Sequence, residues 1–276
     1  MHTPAKKSLG QNFLRDHLVE EKIFSTVRPL SGEIILEIGP GEGVLTERLA
    51  LSGAHVIAVE LDDRLIPFLK KKFEHCANVS IVHQDILKLH VSQEIETHRP
   101  QSSEDNFVRS DYRVVGNLPY YITSAIIRKF LELEHSPKEM FFMVQKEVGE
   151  RIVSKAGDMS ILSVSVQYYG VPELLFTVPK EAFEPMPNVE SCFLSIKRKE
   201  IIDRKNEEFF FRTVKIGFSS KRKKLVNTLS AGFQLERGAV HTILAKVNLK
   251  ENVRAQELSM EDWMRVSLLI KEMLSL

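Results

Sequence analysis

Apolar residues in the first half of the chain fall into short runs, separated by stretches in which they recur every three or four positions. Ile34–Ile38 reads as a strand, Val44–Leu51 as a helix and residues 56–59 as a second strand. Asp62 and Asp63 can open a helix running to about Phe73, and residues 79–82 form a third strand. The rhythm returns with Val114 and Val115 leading into Gly116 and Asn117. A helix opened by Thr123 or Ser124 follows, then a fifth strand over residues 140–144. Strands alternating with helices predict a parallel sheet covered on both faces. Residues 91–111 interrupt this rhythm; polar and weakly periodic, they predict an exposed insertion or a frayed helix.

A helix near residues 160–169 precedes two β-like runs, 174–178 and 192–196. Between the runs lie Pro179, Pro185 and Pro187, and the return of the chain predicts an antiparallel edge on the sheet. From about Asn206 the pattern turns helical, over residues 209–218, 223–229 and 261–274, the last behind the cap-like Ser259. This change places a domain boundary near residues 198–206, with domains over 1–200 and 201–276.

At 276 residues, 43% hydrophobic and 27% charged, the chain is neither a mini-protein nor a disordered or collagenous one. Charge nearly cancels overall but not locally. From Lys197 onward there are 17 Lys and Arg against 10 Asp and Glu, and before it 21 against 27. A positive tail end points to a polyanion partner. Only Cys76 and Cys192 are present, so neither a disulfide framework nor a cysteine-rich zinc site is expected. The nine histidines show no metal-ligand spacing, and no metal is predicted. No signal peptide or run of about 18 apolar residues is seen, and a cytoplasmic protein without membrane contact is expected.

Glu37-Ile38-Gly39-Pro40-Gly41-Glu42-Gly43 stands between a predicted strand and helix. Glycines there let the backbone turn and approach a ligand at the carboxyl end of the sheet. The spacing departs from the dinucleotide fingerprint. Pro40 lacks an amide donor, and Glu37 and Glu42 add negative charge, so a cationic cofactor without a pyrophosphate suits the loop. Glu60, 21 residues after Gly39, can accept from ribose hydroxyls, and Asp85, past the third strand, from an exocyclic adenine amine. S-adenosylmethionine meets these requirements. Taken singly, both carboxylates could equally cap the next helices.

Asn117-Leu118-Pro119-Tyr120 falls where the fourth strand enters the same crevice. The asparagine oxygen and a neighbouring carbonyl can accept both hydrogens of a planar exocyclic amine while Tyr120 stacks on its ring. An adenine N6 lone pair is delocalised, and holding both hydrogens favours the pyramidal geometry of attack. The alternative is a simple Asn-x-Pro turn with a packed tyrosine.

Four motifs, residues 10–14 (Gly-Gln-Asn-Phe-Leu), 37–46, 117–120 and 183–191, together resemble the small-subunit ribosomal RNA adenine dimethyltransferases. The resemblance spans Lys7 to about Leu229. It implies an α/β Rossmann-like class I methyltransferase sheet with an antiparallel edge and a small C-terminal all-α domain. It also implies two methyl groups on N6 of each of two adjacent adenosines, in a hairpin loop near the 3′ end of small-subunit (16S) rRNA.

Carried over by motif, Gln11, Asn12 and Leu14 would close over S-adenosylmethionine. Gly39 would face its methionine part, Glu60 its ribose and Asp85 its adenine, and Gly41, Leu61 and Ile86 would also bind the cofactor. Asn117 would touch both cofactor and target amine, Leu118 and Pro119 would offer carbonyls, and Tyr120 and Phe183 would sandwich the target base. Without the motifs, Gln11 and Asn12 read as a loop or cap and Phe183 as core.

Lys221-Arg222-Lys223-Lys224 sets four cations at a predicted helix start, where the helix itself prefers anions. RNA phosphate is the expected counter-charge, with Arg212 and Lys215 able to enlarge the patch; a solvated basic face is the alternative. The expected partner is small-subunit rRNA within an immature 30S subunit, met by a monomer. Two other readings stay open: a ribosome-assembly or checkpoint factor, and an adenine methyltransferase acting on large-subunit rRNA.

Overall fold

In the computed structural model, which describes residues 4–6, 9–98, 112–220 and 222–275, the predicted alternation is realised almost strand by strand. The order begins β1 (Phe13–Leu14), α1 (His17–Val27), β2 (Ile34–Ile38), α2 (Val44–Leu51), β3 (His55–Glu60), α3 (Ile66–Lys72) and β4 (Val79–His83). It continues with α4 (Val91–Thr97), β5 (Tyr112–Asn117), α5 (Thr123–Glu132), β6 (Glu139–Gln145), α6 (Lys146–Ile152) and α7 (Ile161–Tyr169). Then come β7 (Gly170–Val178), β8 (Phe183–Glu184), β9 (Ser191–Arg198), α8 (Glu207–Gly217), α9 (Leu225–Phe233), α10 (Arg237–Lys246) and α11 (Met260–Met273).

Seven strands form one sheet in the order β4-β3-β2-β5-β6-β9-β7. From β4 to β6 neighbouring strands run parallel, and β9 lies antiparallel to β6, with Met143 opposite Phe193. The chain winds outward from β2 to β3 and β4, then returns to the other side of β2 with β5. That reversal opens a crevice at the carboxyl ends of β2 and β5, where doubly wound sheets bind ligands. Ile38 pairs with Gly116 there, and a Cβ on Gly116 would stand 2.9 Å from the Ile38 carbonyl oxygen. Only glycine lets these two strands close up beneath the site.

Burial explains why the strands read as continuous apolar runs: every residue of β2 is buried. On one face Ile35, Val115, Phe141 and Met143 share a core with Ile23 and Val27 of α1 and Leu49 of α2. Helix α1 escaped the sequence reading although its signals are present. Asp16 caps it by accepting from the Leu18 and Val19 amides, and Val19, Ile23 and Val27 repeat every four residues. Helices α6 and α10 and the two-residue strands were also missed.

Residues 91–97, expected as exposed insertion or frayed helix, form α4, which buries Val91 and Ile95. The remainder of that insertion, residues 99–111, lies outside the described residues. So does Lys221.

The chain divides into two compact units, one of Met1–Gly149 with Pro172–Arg198, the other of Glu150–Val171 with Lys199–Leu276. Residues 150–171, which the sequence reading placed in the first domain, pack with the C-terminal helices. The reason is aromatic: Tyr168 stacks on Phe210 at 4.5 Å between centroids, and Tyr169 on Phe211 at 5.7 Å. In the same unit Trp263 is fully buried against Phe218, and Ser259 and Asp262 form the capping box that starts α11.

Candidate active site

Above the β2/β5 reversal lies an open cleft enclosing about 810 Å³. Of the residues predicted to hold a cofactor, Gln11, Asn12, Gly39, Gly41, Glu60, Leu61, Asp85, Ile86 and Asn117 all line it, and Leu14 does not. Gly39 adopts φ +65°, and a Cβ there would meet nothing nearer than the Asn117 carbonyl oxygen at 3.9 Å, so its bare backbone faces open space. Leu14 lines a second chamber of about 710 Å³ that shares Phe13, Gly39, Gly41 and Asn117 with the first and carries Glu20, Glu37 and Glu42.

Glu60 and Asp85 cap neither of the next helices, α3 and α4, whose N-caps are Leu65 and His90; each is fastened to the backbone just after it. One Glu60 oxygen accepts from the Leu61 and Asp62 amides, both at 2.8 Å, while the other has only a long 3.4 Å contact from the Gly41 amide. One Asp85 oxygen accepts from the Leu87 amide at 2.9 Å. Each carboxylate is thus locked by local backbone and retains acceptor capacity beside the cleft. Burial raises the Glu60 pKa. Lys129 donates to the Leu87 and Leu89 carbonyls and so braces the turn that carries Asp85.

Glu37 is 3% exposed, accepts a 2.6 Å hydrogen bond from Thr46 and is pushed up to about 7, chiefly by burial. Glu42 is paired with Arg15. The negative charge expected of these two carboxylates is thus largely cancelled, by burial for one and by Arg15 for the other, and what makes the loop unsuited to a pyrophosphate is the missing amide at Pro40. Glu60 and Asp85 supply acceptors for a ribose and an adenine amine, so the residues present fit S-adenosylmethionine.

Asn117 is oriented by the N-terminal segment. Its Nδ2 donates to the Asn12 carbonyl at 2.9 Å, which turns Oδ1 away from that contact and leaves it without a partner among the described residues. Both expected backbone acceptors are not equivalent. The Pro119 carbonyl already accepts from the Ile122 amide and the Thr123 hydroxyl, whereas the Leu118 carbonyl accepts nothing among the described residues. Tyr120 is half-buried in the cleft wall, its hydroxyl 2.7 Å from that of Ser191, and burial raises its pKa.

Phe183 is not brought to this cleft. It is 4% exposed, in the core with Ile23, Met143 and Phe193. The expected sandwich with Tyr120 is therefore absent from this arrangement. Phe183 instead pairs through its backbone with Leu14, anchoring the short β1–β8 ribbon.

Sequence reasoning did not foresee how the N-terminal segment is fastened. Gln11 donates to Asp62 at 2.8 Å, and the hydrogen bond from Arg64 holds that carboxyl well below the usual range. Phe13 lies over Gly41, where a Cβ would stand 3.1 Å from the ring. Tyr121, Gln84 and Ile126 also line the cleft unpredicted.

Arg222, Lys223 and Lys224 are exposed in the turn that leads into α9, with Lys224 as its N-cap, so the helix begins at Leu225, two residues later than the expected Lys223. No acidic side chain pairs with them among the described residues.

A doubly wound sheet whose reversal opens on a cleft lined by bare glycine backbone, the Glu60 and Asp85 carboxylates and Asn117 defines a Rossmann-like, S-adenosylmethionine-dependent methyltransferase. The chain belongs to the ribosomal RNA adenine dimethylase family, which matches residues 2–272. It is 40% identical over 270 residues to the ribosomal RNA small subunit methyltransferase A of Dehalococcoides mccartyi, covering 97% of this chain and 89% of that one. The solved structure of the 23S rRNA methyltransferase ErmE has a TM-score of 0.74 at 25% identity, covering 94% of this chain and 100% of that one. A dimethyladenosine transferase from Plasmodium falciparum superposes with a TM-score of 0.77 at 23% identity, covering 96% and 98%. No helix among the described residues is long and apolar enough to cross a membrane.

Proposed function

We propose that this enzyme dimethylates N6 of two adjacent adenosines in the hairpin loop near the 3′ end of small-subunit rRNA, acting as a cytoplasmic monomer on the immature subunit. The relatives near 40% identity carry the small-subunit name, while the large-subunit enzyme among the solved structures stands at 25%. The observation that carries the chemistry is that two consecutive residues lining the cleft, Asn117 and Leu118, each keep an acceptor, Oδ1 and the backbone carbonyl, that has no partner among the described residues.

Bound S-adenosylmethionine supplies an electrophilic methyl group on a sulfonium. The chain's own residues do the rest. Gly39 and Gly41 admit the cofactor against bare backbone, Glu60 and Leu61 hold its ribose side, and Asp85 and Ile86 its adenine side. Gln11 and Asn12 close the cleft from above. Asn117 and Leu118 accept the two amine hydrogens and draw the N6 lone pair out of conjugation toward the methyl donor. The target base stacks on Tyr120, which the Ser191 hydrogen bond holds in place. Once the nitrogen has gained the methyl group it carries a positive charge and loses one proton to water; a single amine hydrogen then remains, and one acceptor suffices to orient it for the second transfer. Phe183 reaches the base only if the β1–β8 ribbon shifts. Residues 201–276 contact RNA, with the basic run Lys221-Arg222-Lys223-Lys224 on phosphate.

The test is methyl transfer from tritiated S-adenosylmethionine to undermethylated small subunits, naked small-subunit RNA and large subunits, followed by nucleoside analysis. The expected product is N6,N6-dimethyladenosine in small-subunit RNA alone; label in large-subunit RNA would overturn the choice of substrate. Asn117→Ala should lose transfer about a hundredfold or more while still binding subunits. Undiminished transfer would remove Asn117 from the mechanism.

A further inference from the structure

We infer that Tyr121 is a stacking platform for the nucleotide next to the adenosine in the pocket, and so helps the enzyme take two neighbouring targets. This rests on the reading just proposed. Tyr121 lines the cleft yet is 63% exposed, a large apolar ring left in water at the mouth of the site. Its hydroxyl has no hydrogen-bond partner among the described residues, in contrast to the Tyr120 hydroxyl, which is held by Ser191. Gly10 backs the ring with φ +60°, and a Cβ at that position would lie 3.2 Å from Cδ1 and Cε1 of the ring. Glycine at 10 therefore brings bare backbone up to the ring, where any side chain would crowd it.

Extruding a base into a pocket strips its neighbour of one stacking surface, and aromatic rings restore that loss without reading sequence. Tyr120 and Tyr121 are consecutive, one turned into the cleft wall and one outward, as suits two consecutive bases of a splayed strand. In a substrate with two adjacent adenosines, the base on Tyr121 is the other target. When the first is dimethylated, its ring keeps its stacking face although its amine can no longer pair. The platform thus serves both halves of the reaction.

The competing role for the ring is a pad that steadies the segment around Gly10, which would act on cofactor binding. Four variants separate the two: Tyr121→Ala, Tyr121→Leu, Tyr121→Phe and Tyr121→Trp. The readouts are KM for undermethylated small subunits, Kd for S-adenosylmethionine, and the fraction of product with one adenosine modified instead of two. Melting temperatures check that each variant folds.

Loss of base stacking on an aromatic ring predicts a KM for subunits raised about tenfold or more in the Ala and Leu variants. Cofactor Kd should stay within about twofold, singly modified product should accumulate, and the Phe and Trp variants should behave as wild type. Leu keeps an apolar contact to Gly10 without a planar face, so a normal KM in that variant would overturn stacking. A fall in cofactor affinity matching the rise in KM would assign the ring to the segment instead. If the wild type itself transfers no methyl to small subunits, the substrate reading fails; if it does and all four variants equal it, this inference fails alone.

Discussion

Glu37 offers a quantitative test of how the glycine loop is built. It is buried, it lies near Glu60, and burial lifts its pKa from 4.5 to about 7. The folded protein therefore keeps a proton that the unfolded chain releases. Its contribution to stability is fully present below about pH 4.5 and is lost as pH rises to about 7. At about 1.4 kcal/mol per pH unit, ionising Glu37 in the cofactor-free protein costs about 3 kcal/mol. Glu37→Gln removes the titration while retaining an oxygen to accept from Thr46. Urea unfolding of both proteins from pH 5 to pH 8 is the assay, read as the difference between them so that other groups cancel. The variant should exceed the wild type by about 1 kcal/mol or less at pH 5 and by about 3 kcal/mol at pH 8. Parallel stability curves would show that Glu37 ionises as freely as in water, and the argument from burial would fail.

Two further outcomes follow from the site. Glu60→Ala should weaken S-adenosylmethionine binding about tenfold or more by removing charged acceptors, read by calorimetry; unchanged affinity would leave Glu60 as a backbone cap. Replacing Arg222, Lys223 and Lys224 by Glu should raise KM for small subunits and flatten its dependence on salt, with cofactor affinity unaltered. A salt slope equal to that of the wild type would make the turn a solvated surface.

What the sequence determined by itself was whatever depends on near neighbours. Apolar runs bounded by glycines set β2 and α2 to the residue, because strand and helix periodicity and the glycine turns that interrupt them are local. The order of glycine loop, Glu60, Asp85 and Asn117 was equally legible, since each follows a strand and a parallel sheet collects strand ends on one edge. Charge at residues 222–224 was legible too, as it depends only on composition.

Tertiary structure decided everything that needed a second segment. Phe183 and Tyr121 are both aromatic residues in or beside family motifs, and no local signal tells that the first is buried under β1 and the second exposed beside Gly10. The choice between the Leu118 and Pro119 carbonyls turned on where α5 begins, because its first turn consumes one of them. The orientation of Asn117 depends on a carbonyl 105 residues away, at Asn12. Residues 150–171 joined the helical unit because Tyr168 and Tyr169 found Phe210 and Phe211 about forty residues later. Hydrogen bonds and ring contacts of this range are fixed only when the whole sheet and bundle have closed, since no short window of sequence contains both partners.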